Sequence, residues 1–97
     1  MESSSQFYCH VCGLERGDVA PWGPDGLCPT YEICECCGVE YGYEDCLPSG
    51  VVAARERWAA AGFQWRTPKL RPPAWNAAEQ LNRLPLELPE GIRRNAR

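Results

Sequence analysis

Two short units of the same spelling constrain this chain more than anything else in it: Cys9-His10-Val11-Cys12-Gly13 and Cys34-Glu35-Cys36-Cys37-Gly38. Each is a CxxCG unit, in which a tight turn aims two sulfurs at one point and the glycine takes a backbone conformation that side chains resist. A single such unit also occurs in thioredoxin-like redox motifs, but a second one in so short a chain points to a shared tetrahedral site of four sulfurs. The expected ligands are the thiolates of Cys9, Cys12, Cys34 and Cys37, and the expected cofactor is one Zn2+ ion. Iron in a rubredoxin-like site uses the same geometry, so spacing leaves it open as the lesser alternative. Free or disulfide-bonded cysteine is the bland remainder.

A staple is what a chain of this size needs. With 97 residues it fits one domain, 1–97, and removes too little apolar surface from water to be secure without a cross-link. Seven cysteines, nine prolines and nine glycines beside only two phenylalanines favour a loop-rich, cross-linked fold over a large core. Met1 to Gln6 is short and polar, with no basic n-region or apolar h-region, which leads us to expect a reducing, cytoplasmic setting and hence thiols. The longest apolar stretches, Val51 to Ala54 and Trp58 to Phe63, fall far short of the roughly 20 residues that span a bilayer, so no membrane segment is expected. An odd number of cysteines also cannot pair off within one chain.

Cys28, Cys36 and Cys46 are left over. Cys36 lies inside the second unit and competes with its neighbours, although the spacing and the following Gly38 favour Cys34 and Cys37. A second site from Cys28, Cys36, Cys46 and His10 lacks such spacing, and buried or free thiols are the simpler expectation. His10 is the only histidine; its ring is expected to face solvent or to donate near a sulfur, not to ligate.

These signals predict a small α+β metal-stapled fold: a zinc-ribbon-like β half with two knuckles over 6–46, two short helices over 49–84, and a mobile tail over 85–97. Short strands are expected at 6–8, 30–33 and 39–43, where aromatic and β-branched residues cluster. Residues 17–29 read as one long loop rich in Gly and Pro, anchored in the core by Trp22. Ser49 can cap a helix from about Gly50 to Ala61 with Val51, Ala54, Trp58 and Ala61 on one face, and Gly62 suits its C′ position. Asn76-Ala77-Ala78-Glu79 resembles a capping box opening a helix with Leu81 and Leu84, with Trp75 placed for a hydrophobic staple. The last dozen residues have little to bury.

The pattern from 7 to 84 resembles a bacterial family named for its cysteine-rich CPCC segment, whose members look like "CPVCG", then "SYEICPCCGFEFG", a helix with a tryptophan, a "GxxW" element and a "WN…EQL" helix. The matching residues here are Cys9 to Gly13, Tyr31 to Cys34, Cys36 to Gly38, Glu40, Trp58, Gly62, Trp65, Trp75-Asn76 and Glu79-Gln80-Leu81. His10 and Glu35 replace the two prolines of that pattern, a departure that loosens the turns but removes no sulfur. The resemblance implies a small zinc-binding protein, of a kind that in some cases accompanies bacterial toxins as an immunity protein in toxin–antitoxin systems.

Charge limits the partners. Residues 1–50 hold nine acids and one base, Arg16, whereas residues 51–97 hold four acids and nine bases. Four thiolates on one divalent ion would make the first half more negative still. An acidic ribbon repels a phosphate backbone, so nucleic acid is not the expected partner, and Arg55, Arg57, Arg66, Lys69 and Arg71 more simply pair with the acidic half. The segment Glu40, Tyr41, Tyr43, Glu44 and Asp45 is the candidate partner-binding surface, because carboxylates beside tyrosines can engage a basic protein groove. The alternative is that the tyrosines pack inward and the acids are merely solvated. No enzyme is expected: four thiolates close a zinc shell and leave no water to activate. The zinc deaminase His-x-Glu pattern and a glycine-rich phosphate loop are both missing. The expected function is a protein-interaction module, an immunity protein acting on a cognate toxin. The alternative is a zinc-ribbon accessory factor touching nucleic acid or the transcription and translation machinery.

Overall fold

The two CxxCG units fold alike, and the rest of the chain closes over them. A computed structural model describes residues 7–17, 19–85 and 87–95. In the first unit the Gly13 amide donates to the Cys9 carbonyl at 2.8 Å, and the Cys9 amide to the Leu14 carbonyl at 2.8 Å. In the second the Gly38 amide donates to the Cys34 carbonyl at 2.9 Å, and the Cys34 amide to the Val39 carbonyl at 2.9 Å. One further rung closes each knuckle, Arg16 amide to Phe7 carbonyl and Tyr41 amide to Glu32 carbonyl, around the single bridges Tyr8–Glu15 and Ile33–Glu40. The hydrogen-bond patterns of the two units match with an offset of 25 residues, which pairs Cys9 with Cys34 and Arg16 with Tyr41.

The expected β half over 6–46 does not form as such. Among the described residues there is no ladder, only these two isolated bridges; the first expected strand begins on Gln6, outside them. The backbone explains why the strands stop after one pair. Tyr31 (φ 63°) and Gly42 (φ 88°) bracket the second knuckle, and Gly17 (φ 73°) follows the first. An extended run cannot pass through a left-handed residue, so neither hairpin can lengthen.

The helices follow the sequence more closely. Helix α1 (Pro48–Ala60) begins two residues before Gly50, with Leu47 as N-cap, Pro48 in the first turn and no side-chain cap, so Ser49 lies inside the helix and does not cap it. It buries Val51, Ala54 and Trp58. Ala61 is its exposed C-cap, not part of the buried face. Gly62 (φ 84°) ends it with the paired bonds of a Schellman motif: its amide reaches Ala59 at 3.0 Å and the Phe63 amide reaches Trp58 at 2.9 Å. The Phe63 and Trp58 rings, 5.0 Å apart and edge to face, supply the apolar contact of that motif. After a single 3-10 turn at Pro68–Leu70, helix α2 (Ala77–Leu81) opens with Asn76 accepting from the Glu79 amide at 3.0 Å. Trp75 meets Gln80 through its indole N–H, donated to Gln80 Oε1 at 2.8 Å, so the contact is polar where a hydrophobic staple is expected.

The segment expected to be a mobile tail carries a third helix, α3 (Glu90–Arg94), with Ile92 fully buried. The Gly91 amide donates to the Gly26 carbonyl at 2.7 Å, and a Cβ at Gly91 would come within 2.7 Å of the Trp22 ring. Ile92, an isolated apolar residue among charges, enters the core, and Gly91 sets the helix against Trp22 and Gly26. The core joins Val11, Val39, Tyr41, Val51, Trp58, Trp65 and Ile92 to Cys9, Cys12, Cys34 and Cys36. Sulfur thus fills the volume that aliphatic side chains occupy in larger domains. Among the described residues no helix is long and apolar enough to cross a membrane.

Candidate metal centre

The sulfurs of Cys9, Cys12, Cys34 and Cys37 all lie within 4.8 Å of one another. Contacts run between the units: Cys9 Sγ to Cys37 Sγ is 3.8 Å and Cys12 Sγ to Cys34 Sγ is 3.7 Å, so the first cysteine of each knuckle meets the second of the other. A tetrahedron of metal–sulfur bonds of about 2.3 Å sets its sulfurs about 3.8 Å apart. The cluster has the size and shape of such a shell. Cys9, Cys12 and Cys34 are fully buried and Cys37 is half-buried. Crowding also spreads the protons unevenly. Hydrogen bonds from Cys12, Cys37 and Cys9 hold the Cys34 thiol far below its ordinary range, and the same contact with Cys34 pushes Cys12 up. Binding a divalent cation requires the thiols to give up their protons.

The remaining cysteines stay outside this group. Cys36 is fully buried, and its sulfur accepts from Gln80 Nε2 at 3.3 Å. Cys28 is exposed, and the half-buried Cys46 donates to the Gly42 carbonyl at 3.0 Å. No second group of three or more ligating side chains occurs among the described residues. His10 is 2% exposed, facing neither solvent nor sulfur; its Nε2 lies 2.6 Å from Asp45 Oδ2.

The second half of the chain holds both knuckles from outside. Arg55 on α1 donates to the carbonyls of His10 (2.7 Å) and Val11 (3.0 Å). The amides of Arg66 and Thr67 donate to Cys36 and Glu35, each at 3.0 Å. Gln80 on α2, 3% exposed, donates to the Cys12 carbonyl at 3.1 Å as well as to Cys36. Gly13 (φ 87°) faces Gln80 so closely that any Cβ would collide with the Gln80 carbonyl. That glycine serves the turn and the helix contact together. Of the five bases expected to pair with the acidic half, Arg55 is committed to knuckle carbonyls, and Arg57 pairs with Glu44 at 3.4 Å.

The five candidate partner-binding residues divide. Tyr41 and Asp45 are fully buried, Glu40 is half-buried, Glu44 is exposed, and Tyr43 is 74% exposed. Asp45 accepts from His10, from the Trp22 indole at 3.0 Å and from the Gly42 amide at 2.6 Å, so it ties the first knuckle, the long loop and the exit of the second knuckle into one node. Tyr31 is also exposed, at 63%, and its ring lies 2.8 Å from where a Gly42 Cβ would stand. Arg55, Gln80 and Ile92 had no signal in spacing. Asp45 had one, as a carboxylate beside the only histidine's knuckle, but only folding brings them together.

Fold and site together define a small chain whose described residues form three helices and irregular segments closed over a cluster of four cysteines. No protein-family model, curated protein or solved structure matches it.

Proposed function

We propose that this chain is a non-enzymatic protein-binding module stapled by one zinc ion on Cys9, Cys12, Cys34 and Cys37, and that its partner presents a basic face. The observation that carries the binding half is the exposure of two tyrosines: Tyr31, whose ring lies against Gly42, and Tyr43, the next residue along the chain from Gly42. Exposed carboxylates, Glu32 and Glu44 among them, stand beside the pair. Two large amphipathic rings held in water by a rigid knuckle supply contact area at low entropic cost, and the acids steer a positive partner. Tyr31 sits in the left-handed region at φ 63°, a strained conformation for a tyrosine. The closed shell supports the non-enzymatic half, because a catalytic zinc keeps an open position. The resemblance to the CPCC family narrows the proposal to a cytoplasmic immunity protein that occludes a toxin.

The test is purification of the tagged chain from its native host at low salt, beside a Tyr43→Lys/Glu44→Lys variant with the same metal content. The proposal predicts one stoichiometric protein partner with wild type, lost from the double variant and weakened by salt. Recovery of nucleic acid in place of a protein, or a partner retained equally by both chains, overturns it.

A further inference from the structure

Where α3 docks, the chain encloses a cavity of about 480 Å³ that the metal centre does not use. Three parts of the sequence meet there: the first knuckle through Tyr8 and His10, the long loop through Trp22 to Gly26, and the C-terminal segment through Leu88, Pro89 and Arg93. Sites for small molecules have volumes of about 300–1,000 Å³, are largely pre-formed, and set a few polar groups in apolar walls. The inner wall here is fixed in that sense. Trp22 is 5% exposed and His10 2% exposed, and a ring nitrogen of each lies on the same Asp45 oxygen, at 3.0 and 2.6 Å. Gly91, lacking a side chain, lets α3 close on the Trp22 ring. Tyr8 adds a third ring, and Leu88 and Pro89 add aliphatic surface.

The charge of the lining selects the ligand. Three carboxylates, Asp25, Glu87 and Glu90, stand against one guanidinium, Arg93, and the buried Asp45 lies behind the two inner rings. Arg93 is already engaged: its Nε donates to the Leu88 carbonyl at 2.9 Å, and an outer nitrogen reaches Glu87 at 3.9 Å, which leaves it poorly placed to hold an anion. Glu90 pairs with Arg94 at 2.9 Å, whereas among the described residues Asp25 bonds only the Leu27 amide, at 3.0 Å. Aromatic rings attract cations, most strongly where water is excluded. We propose that this cavity binds a small organic ammonium ion, its apolar body against Trp22, Tyr8, Leu88 and Pro89 and its charge toward Asp25. The site draws on neither the four sulfurs nor the exposed Tyr31 and Tyr43, so it stands or falls apart from the reading above.

Three probes that share a phenyl body separate charge from shape: 2-phenylethylammonium, 2-phenylethanol and 3-phenylpropanoate. Each is titrated into the full-length protein and followed by 1H–15N NMR. The ammonium ion should bind saturably, with the largest shifts at the Trp22 indole N–H and the amides of Gly23, Gly26 and Gly91. It should bind about 5- to 30-fold tighter than the alcohol, the range that a desolvated contact between a cation and a ring supplies. The propanoate should not saturate. Asp25→Asn keeps an acceptor for the Leu27 amide and removes the charge; it should weaken the ammonium ion about 2- to 5-fold, as loss of an exposed ion pair does, and leave the alcohol unchanged. Tyr8→Leu should weaken the ammonium ion as well. Equal affinity for the ammonium ion and the alcohol, preference for the propanoate, shifts centred away from the cavity, or no saturable binding of the ammonium ion to folded wild type would each overturn the proposal.

Discussion

Asp45 shows how one residue can join parts of a chain that lie far apart in sequence. Its carboxylate is fully buried and accepts from His10, Trp22 and Gly42. A buried charge is tolerated only when its lone pairs are met, and here three donors meet them. Removing it leaves the histidine, the indole N–H and an amide without an acceptor. Asp45→Ala should therefore lower the unfolding free energy by about 3–5 kcal/mol in a denaturant titration, with metal content unchanged because the residue touches no sulfur. Sequence alone places Asp45 in a solvated acidic run, and it leaves His10 with solvent or sulfur. Both expectations fail for the same reason: His10 and Asp45 meet across 35 positions, and spacing reveals only local company. The four cysteines were legible because their chemistry is local, two turns that each solve the same problem.

Elements that close on themselves were equally legible. Gly62 and Asn76 mark helix ends through bonds spanning a few residues, and both do so in the structure. The strands were not legible. Tyr31 takes a left-handed backbone that nothing in its side chain announces, and with Gly42 it cuts the second hairpin to a single pair. Helix α3 was missed because its one apolar residue gives no periodicity; its hold comes from a distant surface, with Ile92 inside the core and Gly91 against Trp22. Ile92→Ala should cost about 2–5 kcal/mol, the range for emptying a fully buried aliphatic site. Hydrogen exchange should then show the amides of Gly91 and Ile92 opening before those of the knuckles. Unchanged protection of α3 in that variant would mean that polar contacts, such as Asn95 Nδ2 to the Cys46 carbonyl at 2.9 Å, hold the helix without Ile92.

At the scale of the whole molecule, the helical half is a clamp and the knuckles are what it clamps. Arg55, Arg66, Thr67 and Gln80 direct donors at the knuckle carbonyls, so the second half of the chain organises the cluster from outside while four sulfurs organise it from within. An aliphatic core this thin cannot hold the two halves unaided; a structural zinc contributes on the order of 10 kcal/mol to such modules. Folding and metal binding should therefore be one transition. Cys34→Ser or Cys37→Ser should release the ion and abolish most of the cooperative melt, whereas Cys46→Ser, outside the cluster, should change little. The most direct measurement is elemental analysis of untagged, freshly purified protein, joined to melting curves with and without a strong chelator. The account predicts about one zinc per chain and a melting temperature that collapses on chelation; protein free of zinc and iron, melting at the same temperature in either condition, would contradict it.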